Sequence, residues 1–252
     1  MTQSDRGDIP SSESLTDLDE PIKVTEAVDE DPPASNQRIF SGGRNYAFAT
    51  ACAAYTLFHL LVMNLYPLET WTYRLLHLGG GLALGLLLFG AHGDAGKPRP
   101  DRSLASTVLL GLSASGILYG AVAMALVWGN WWLIGDATPP MWTVTSFGIP
   151  LTIGTALAIV HGWLFADHRI ERFTTADVLL AISTVAAIGY VIYFARALQM
   201  RAGMPMAQPA DMWAAIVGVM LILEAVRRMA GLALVIIVGV FVAYAFAGPW
   251  LP

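Results

Sequence analysis

The chain has 252 residues and a mass of 27.0 kDa, and its composition excludes most classes of soluble protein. It is 56% hydrophobic and only 13% charged, whereas soluble domains average about 25% charged residues. So few charges cannot cover a water-facing globule, which argues against a soluble enzyme, a disordered or collagen-like chain and a nucleic-acid binder. With a mean hydropathy of +0.57, the chain is predicted to be a polytopic membrane protein. The single cysteine, Cys52, excludes an internal disulfide.

The first 43 residues differ in composition from the rest of the chain. They carry ten acidic and three basic residues, against nine acidic and eleven basic residues in positions 44–252. Because they are rich in Ser, Pro, Asp and Glu, we predict a disordered acidic tail on the cytoplasmic side. They lack the pattern of a signal peptide, so the first apolar run is expected to be an uncleaved span. The tail is interpreted as a solvated extension or as a docking arm.

Residues 44–252 contain seven apolar runs, each near the length of about 20 residues that a helix needs to cross a bilayer. No sustained period-2 alternation is present, so the spans are expected to be helical. The predicted fold is an all-α polytopic membrane helix bundle of about seven transmembrane helices. The spans are predicted near 46–66, 71–91, 104–128, 146–165, 177–198, 211–225 and 229–247. The sixth run is short, so runs six and seven could also form a bent hairpin, or an interfacial helix followed by one span.

Basic residues predict the orientation of the spans. With the N-terminus in the cytoplasm, nine basic residues lie on the inner side and three on the outer side, a clear positive-inside bias. The inner set is Arg38, Arg44, Lys97, Arg99, Arg102, Arg169, Arg172, Arg227 and Arg228, and the outer set is Arg74, Arg196 and Arg201. The predicted location is therefore a cell membrane, with the N-terminus cytoplasmic and position 252 outside.

Two pairs of glycines have the spacing that favours close helix packing in lipid. Gly81 and Gly85 lie on the second predicted span, and Gly116 and Gly120 lie on the third. The predicted outer loop, residues 128–142, contains four tryptophans and no basic residue. Such a loop is typical of an aromatic belt at the membrane interface. The alternative is a contact surface for an external partner protein.

Few ionisable residues fall within the predicted spans, and each needs a physical reason because charges are costly in a membrane. Glu224 lies three residues before Arg227 and four before Arg228, which places all three on one helix face. We interpret this cluster as an anchor for a helix end at the interface, or as an ionic contact with another subunit or with lipid phosphate.

His59, His77 and His161 also fall within predicted spans. Each is interpreted as a hydrogen-bonded structural histidine, with haem b ligation in an electron carrier as the competing hypothesis. The spacing does not repeat paired histidines on two helices. No metal-binding cluster, nucleotide fingerprint or nucleophile motif occurs in the sequence. We therefore assign no catalytic residue, cofactor or metal ligand, and we do not expect an enzyme.

The last third of the chain resembles a known family. The residues that carry the resemblance are Arg201-Ala-Gly-Met-Pro205, Asp211, Leu223-Glu224-Ala-Val-Arg227-Arg228-Met-Ala-Gly231, Phe241, Tyr244 and Gly248-Pro249-Trp-Leu-Pro252. They are similar to the N-terminal, small-subunit-like portion of fused TRAP transporter permeases of the TAXI type. A weaker similarity to the family's first two spans runs through His59, Arg74, His77 and Phe89. Together the two stretches cover about 40–95 and 173–252, and the spans within 104–165 look like an inserted pair.

The resemblance implies a scaffold role in a bacterial inner membrane. Its implied partners are a large TRAP permease subunit, separate or missing from this chain, a periplasmic TAXI-type substrate-binding protein and the lipid bilayer, without nucleic acid. The implied process is ion-coupled uptake of small organic acids. Under this interpretation a subunit junction is expected at Leu223, Glu224, Arg227, Arg228 and Gly231. A stand-alone membrane protein without a transport partner is the remaining alternative.

Overall fold

A computed structural model describes residues 36–92, 103–135, 141–165, 172–204 and 208–248. Within these ranges the regular structure consists of nine helices, with one isolated β-bridge between Gln37 and Phe89. The helices are α1 Gly43–Asn64, α2 Thr70–Leu88, α3 Leu104–Ile134, α4 Met141–Thr145, α5 Gly148–Leu164, α6 Thr175–Tyr193, α7 Ala195–Arg201, α8 Pro209–Ala230 and α9 Leu232–Ala247. The all-α prediction is therefore confirmed for the described part of the chain.

Four of the helices, α1, α3, α6 and α8, are long and apolar enough to cross a membrane. This supports the prediction of a multi-pass membrane protein at the level of helix length and composition. Helices α5 and α9 are apolar but shorter, at 17 and 16 residues. Helix α2 has 19 residues and carries Arg74 and His77 in its first half.

Side-chain caps explain where three of the helices begin. The Ser103 hydroxyl accepts from the Ser106 backbone N–H at the start of α3. Thr174 and Asp177 form a reciprocal capping box at the start of α6, and Gln208 and Asp211 form another at the start of α8. These contacts satisfy backbone N–H groups that have no partner within the helix. Ser103 and Thr174, whose residue types favour helix starts, thus cap α3 and α6.

Helices α2, α3, α5, α6 and α8 run up and down through one bundle. At one end, Ser106 near the start of α3 contacts His161 near the end of α5 through a 3.0 Å hydrogen bond. At the other end, Trp128 late in α3 donates to the Gly189 carbonyl late in α6 at 3.2 Å. Such an alternating path brings each helix back across the same layer, as successive membrane crossings would require.

Glycines allow α3 and α5 to approach closely. A Cβ added to Gly116 would lie 2.4 Å from the Pro150 carbonyl oxygen, and one added to Gly120 would lie 2.9 Å from Leu151. The other predicted pair behaves differently, since a Cβ on Gly85 would meet no atom within 4 Å. On α2 the close approaches are made instead by two neighbouring glycines. Gly79 faces Ile188 of α6, and Gly80 faces Tyr55 of α1.

Several predicted boundaries are corrected. Helix α3 continues to Ile134, so Trp128, Trp131 and Trp132 are helical rather than part of a loop, and the helix ends at Gly135 with φ of 71°. The fifth run is divided at Phe194 into α6 and α7. The sixth is not short: α8 has 22 residues and includes Arg227 and Arg228 in its last turn. Gly231, with φ of 85°, separates α8 from α9, so two distinct helices are present.

The predicted tail is also corrected at its end. Residues 36–40 are described and lie along the end of α2, where the Arg38 N–H donates to the Leu88 carbonyl at 2.8 Å. The tail therefore ends before residue 36, and positions 1–35 lie outside the described residues. Other predicted features outside them are the basic residues Lys97, Arg99, Arg102 and Arg169, Pro205 and the motif end at positions 249–252.

Candidate functional site: a buried charge network

Five charged side chains meet at one end of the bundle and form what we name the charge network: Arg38, Asp177, Glu224, Arg227 and Arg228. Asp177 accepts from Arg38 Nη2 and from Arg228 Nη1, each at 2.6 Å. Glu224 accepts from Arg228 Nε at 2.7 Å and from Arg227 Nε at 2.8 Å. All buried charged side chains in the described ranges belong to this network. Because these charges are buried, the stability of the fold depends on each ion pair. An unpaired charge away from water is strongly destabilising.

Local sequence explains how the acids of the network are held. Asp177 lies in the first turn of α6, where its carboxylate also accepts from the Thr174 backbone N–H at 3.1 Å. Glu224 precedes Arg227 and Arg228 by three and four residues on α8, so the three side chains share a face near the helix end. The indole N–H of Trp163 on α5 donates to Glu224 at 3.0 Å. Acids at a helix start and bases at a helix end both complement the helix dipole.

The three arginines of the network also bind carbonyl groups in the last turn of α2 and in the residues just after it. Arg228 Nη1 donates to the Leu86 and Phe89 carbonyls at 3.1 and 3.0 Å. Arg38 Nη1 donates to the Leu87 carbonyl at 2.9 Å, and Arg227 Nη1 donates to the Ala91 carbonyl at 3.1 Å. The last carbonyls of a helix have no intrahelical donor, and cations satisfy them. The network therefore ties α2, α6, α8 and residues 36–38 into one rigid end.

The geometry revises the expected role of the predicted junction residues. Glu224 and Arg228 are each 2% exposed, and their charges are neutralised within this chain. This pairing within the chain supports the anchoring interpretation of the cluster, while the subunit junction at these residues stays a prediction. Leu223 is half-buried, the Arg227 side chain is 14% exposed, and Gly231 is exposed at the break between α8 and α9.

The structure brings together two of the three histidines singled out in the sequence. His59 Nε2 on α1 lies 2.7 Å from His77 Nδ1 on α2, and His161 Nε2 lies on a separate helix, 3.0 Å from the Ser106 hydroxyl. Two imidazoles on opposite faces of one metal ion would have their ligating nitrogens about 4 Å apart, twice a metal–nitrogen bond of about 2 Å. His59 and His77 are closer than this, so the pair as placed does not fit haem ligation.

A second polar cluster lies at the opposite end of the bundle. Asp211 at the start of α8 accepts from the Tyr190 hydroxyl at 2.7 Å and pairs with Arg201 at 2.9 Å. The Tyr190 ring stacks on Phe147 with centroids 5.1 Å apart. Arg201 and Asp211 belong to the motif that carries the family resemblance. The structure gives them a role in fixing α7 and α6 against the start of α8.

Sequence reasoning missed two members of the charge network. Composition places Arg38 in the predicted tail, and hydropathy makes Asp177 only the beginning of a predicted span. The sequence does contain a signal, because Asp177 is an acidic residue at the start of an apolar run. A charge at such a position in a membrane needs a partner of opposite charge. Which base supplies that partner is set by the fold, since Arg228 lies 51 residues away.

Comparison of the chain with protein-family models, with curated proteins and with solved structures returned no match.

Proposed function

We propose that this chain is the small-subunit-like membrane component of a TRAP-type secondary transporter. In this role it scaffolds a large permease subunit during ion-coupled uptake of small organic acids, which a periplasmic TAXI-type binding protein delivers. The proposal combines the resemblance at Arg201–Pro252 with two features of the described structure, an uncovered apolar helix and a rigid charged end.

The observation that carries the proposal is the surface of α9. This helix has 16 residues and no charge, and none of its side chains in the described set is buried. Ile236, Phe241 and Tyr244 are 57%, 69% and 66% exposed. An apolar helix that emerges from a bundle and is so little covered is suited to packing against further membrane helices. It is also the segment of the resemblance that precedes the family's large subunit.

A scaffold needs rigidity rather than a transport path. The charge network fixes one end of the bundle, and α3 and α5 are in close contact through Gly116 and Gly154. Between the ends, the buried polar side chains are hydroxyls that bond within the bundle: Ser113 donates to the Gly154 carbonyl, and Thr155 bonds Ser183 at 2.6 Å. Transport sites in secondary transporters are instead built from discontinuous helices with free polar ends at mid-membrane.

Under this proposal the chain crosses the inner membrane about seven times, through α1, α2, α3, α5, α6, α8 and α9. The N-terminus is cytoplasmic, so the charge network lies at the cytoplasmic end and the Tyr190–Asp211 cluster at the periplasmic end. The aromatic side chains of Trp128, Trp131 and Tyr193 then lie near the periplasmic interface, where indole and phenol rings are favoured.

Purification of the tagged chain from its native membranes in mild detergent tests this proposal. We expect mass spectrometry to find a multi-span permease in the same complex, or a product heavier than 27.0 kDa that contains this chain. A chain that elutes alone at 27.0 kDa from several mild detergents contradicts the proposal. The absorbance spectrum of the same sample tests the haem hypothesis. A Soret band would indicate bound haem, and its absence would contradict that hypothesis.

A further inference from the structure

Two histidines form a direct hydrogen bond between α1 and α2, near the loop that joins these helices. His59 Nε2 and His77 Nδ1 are 2.7 Å apart. A hydrogen bond between two imidazoles needs one nitrogen that carries a hydrogen and one that does not. The contacts around the pair decide which is which.

The first ring is fixed by a backbone carbonyl. His59 Nδ1 lies 2.7 Å from the Tyr55 carbonyl oxygen, which can only accept, so Nδ1 carries a hydrogen. A neutral His59 ring therefore has a bare Nε2. It follows that His77 Nδ1 is the donor of the bond between the rings.

The Tyr55 hydroxyl supports the same direction. It donates its hydrogen to the His77 carbonyl oxygen. Its oxygen lies 3.5 Å from His77 Nδ1 and, with its hydrogen already used, can only accept there. Both neighbours of His77 Nδ1 are thus acceptors. Two nitrogens of the neutral pair then carry no hydrogen, His59 Nε2, which accepts the bond between the rings, and His77 Nε2, which has no hydrogen-bond partner among the described residues.

We propose that His59 and His77 form a binding site for a single proton, which adds to His77 Nε2. This addition breaks no hydrogen bond and turns the bond between the rings into a charge-assisted one, which is stronger. A second proton would have to go to His59 Nε2. Hydrogens would then face each other across 2.7 Å, so the α1–α2 contact would open. The site binds one proton with the helices joined.

The surroundings permit this chemistry. His77 is exposed, and the pair lies five residues before the end of α1 and seven after the start of α2, about 8–10 Å from the helix ends. The pair therefore lies at the surface of the described bundle, close to the loop that joins α1 and α2.

None of the described side chains that contact the histidine pair is a carboxylate. In the described residues the titratable side chains that contact the pair are Tyr55 and Tyr73, with the Tyr73 ring 5.6 Å from that of His59. Helix α6 packs against this part of α2 through the apolar side chain of Ile188. Arg74, three residues before His77 on α2, is the nearest charged residue in sequence. This inference is independent of the proposed transporter role.

Nitrogen NMR of the full chain, with ¹⁵N-labelled histidine and in lipid nanodiscs, tests the proposal directly. The spectra are recorded between about pH 8 and pH 5, the range in which histidines usually change charge. His59→Gln and His77→Gln assign the signals, and His161→Gln is the matched control on a different helix. At the alkaline end we expect hydrogens on Nδ1 of both rings. On acidification, His77 Nε2 should gain a hydrogen while His59 Nε2 does not.

Counting protons gives a second readout. Potentiometric titration is carried out on the wild type and on the His59→Gln/His77→Gln variant over the same pH range. The wild type should take up one proton per chain more than the variant. An uptake of two or none, or a hydrogen on His59 Nε2 at the alkaline end, overturns the proposal. If the double variant does not fold, the wild-type spectrum decides alone, because coupling across the hydrogen bond identifies the two nitrogens of the pair.

Discussion

Arg228 and Asp177 form a salt bridge of 2.6 Å between Nη1 and Oδ1, although 51 residues separate them in the chain. Their side chains are 0% and 2% exposed. Asp177 lies in the first turn of α6 and Arg228 in the last turn of α8, so each charge also complements its own helix terminus. This contact joins the start of α6 to the end of α8, and the Tyr190–Asp211 hydrogen bond joins their other ends, so the two helices are antiparallel.

Asp177→Asn should destabilise the chain strongly. The substitution keeps the shape of the side chain but leaves Arg38 and Arg228 short of a counter-charge in a buried place, at a cost of about 3–5 kcal/mol. Asp211→Asn is the matched control, because its partner Arg201 is 25% exposed and water can compensate the loss. Thermal unfolding in detergent should show a much larger drop in Tm for Asp177→Asn. Equal drops would contradict the role of the network.

Replacement of glycine by alanine should have opposite effects on stability in the two predicted glycine pairs. Gly116→Ala places a methyl group 2.4 Å from a backbone carbonyl oxygen of α5, so the helices must separate, at a cost of about 1–3 kcal/mol. Gly85→Ala meets no atom within 4 Å and gains helix propensity. We therefore expect a lower Tm for Gly116→Ala and an unchanged or slightly higher one for Gly85→Ala. A Gly116→Ala chain as stable as wild type would show that α3 and α5 are not in close contact.

Local features were predictable from the sequence, and distant partners were not. The spacing of Glu224 and Arg228, about one helix turn apart, predicts their pairing. The salt bridge from Asp177 to Arg38 joins residues 139 positions apart, and no short-range pattern encodes it. Likewise, both glycine motifs have the same spacing, but whether a neighbouring helix lies over them depends on the fold.

Acidification should loosen the start of α2. Backbone N–H groups of Thr72 and Trp71 donate to the Glu69 carboxylate and lower its pKa below the usual value. A carboxyl whose pKa is lower in the folded state contributes stability above its unfolded pKa, about 4.3, and loses it as the pH falls through the lower folded value. The protection of the amides of residues 70–73 against hydrogen exchange, taken relative to the intrinsic exchange rate at each pH, should therefore be unchanged at pH 5 and fall only at more acidic pH. In Glu69→Gln this pH-dependent step should be absent, and a step of equal size in that variant would exclude Glu69 as its source.

Glu224→Ala should lower the recovery of any complex that contains this chain, because it leaves Arg227 and Arg228 without their shared acid inside the bundle. The loss would come from the stability of the chain itself, and its Tm should fall in parallel. A fall in recovery with unchanged Tm would instead place Glu224 at an intermolecular contact.

A substitution on the surface of α9 should have the opposite effect to Glu224→Ala. It should weaken assembly with a partner without changing the stability of the chain. Phe241→Ala removes a side chain that is 69% exposed, so the Tm of the purified chain should not change. Truncation of an aromatic side chain that anchors an interface costs more than about 1 kcal/mol, so with Phe241 as such an anchor recovery of the proposed permease partner should fall about five-fold. Leu112→Ala, 56% exposed on α3, is the matched control and should leave recovery unchanged. If both variants recover the permease as wild type does, the α9 surface faces lipid and the proposed assembly through this helix is wrong.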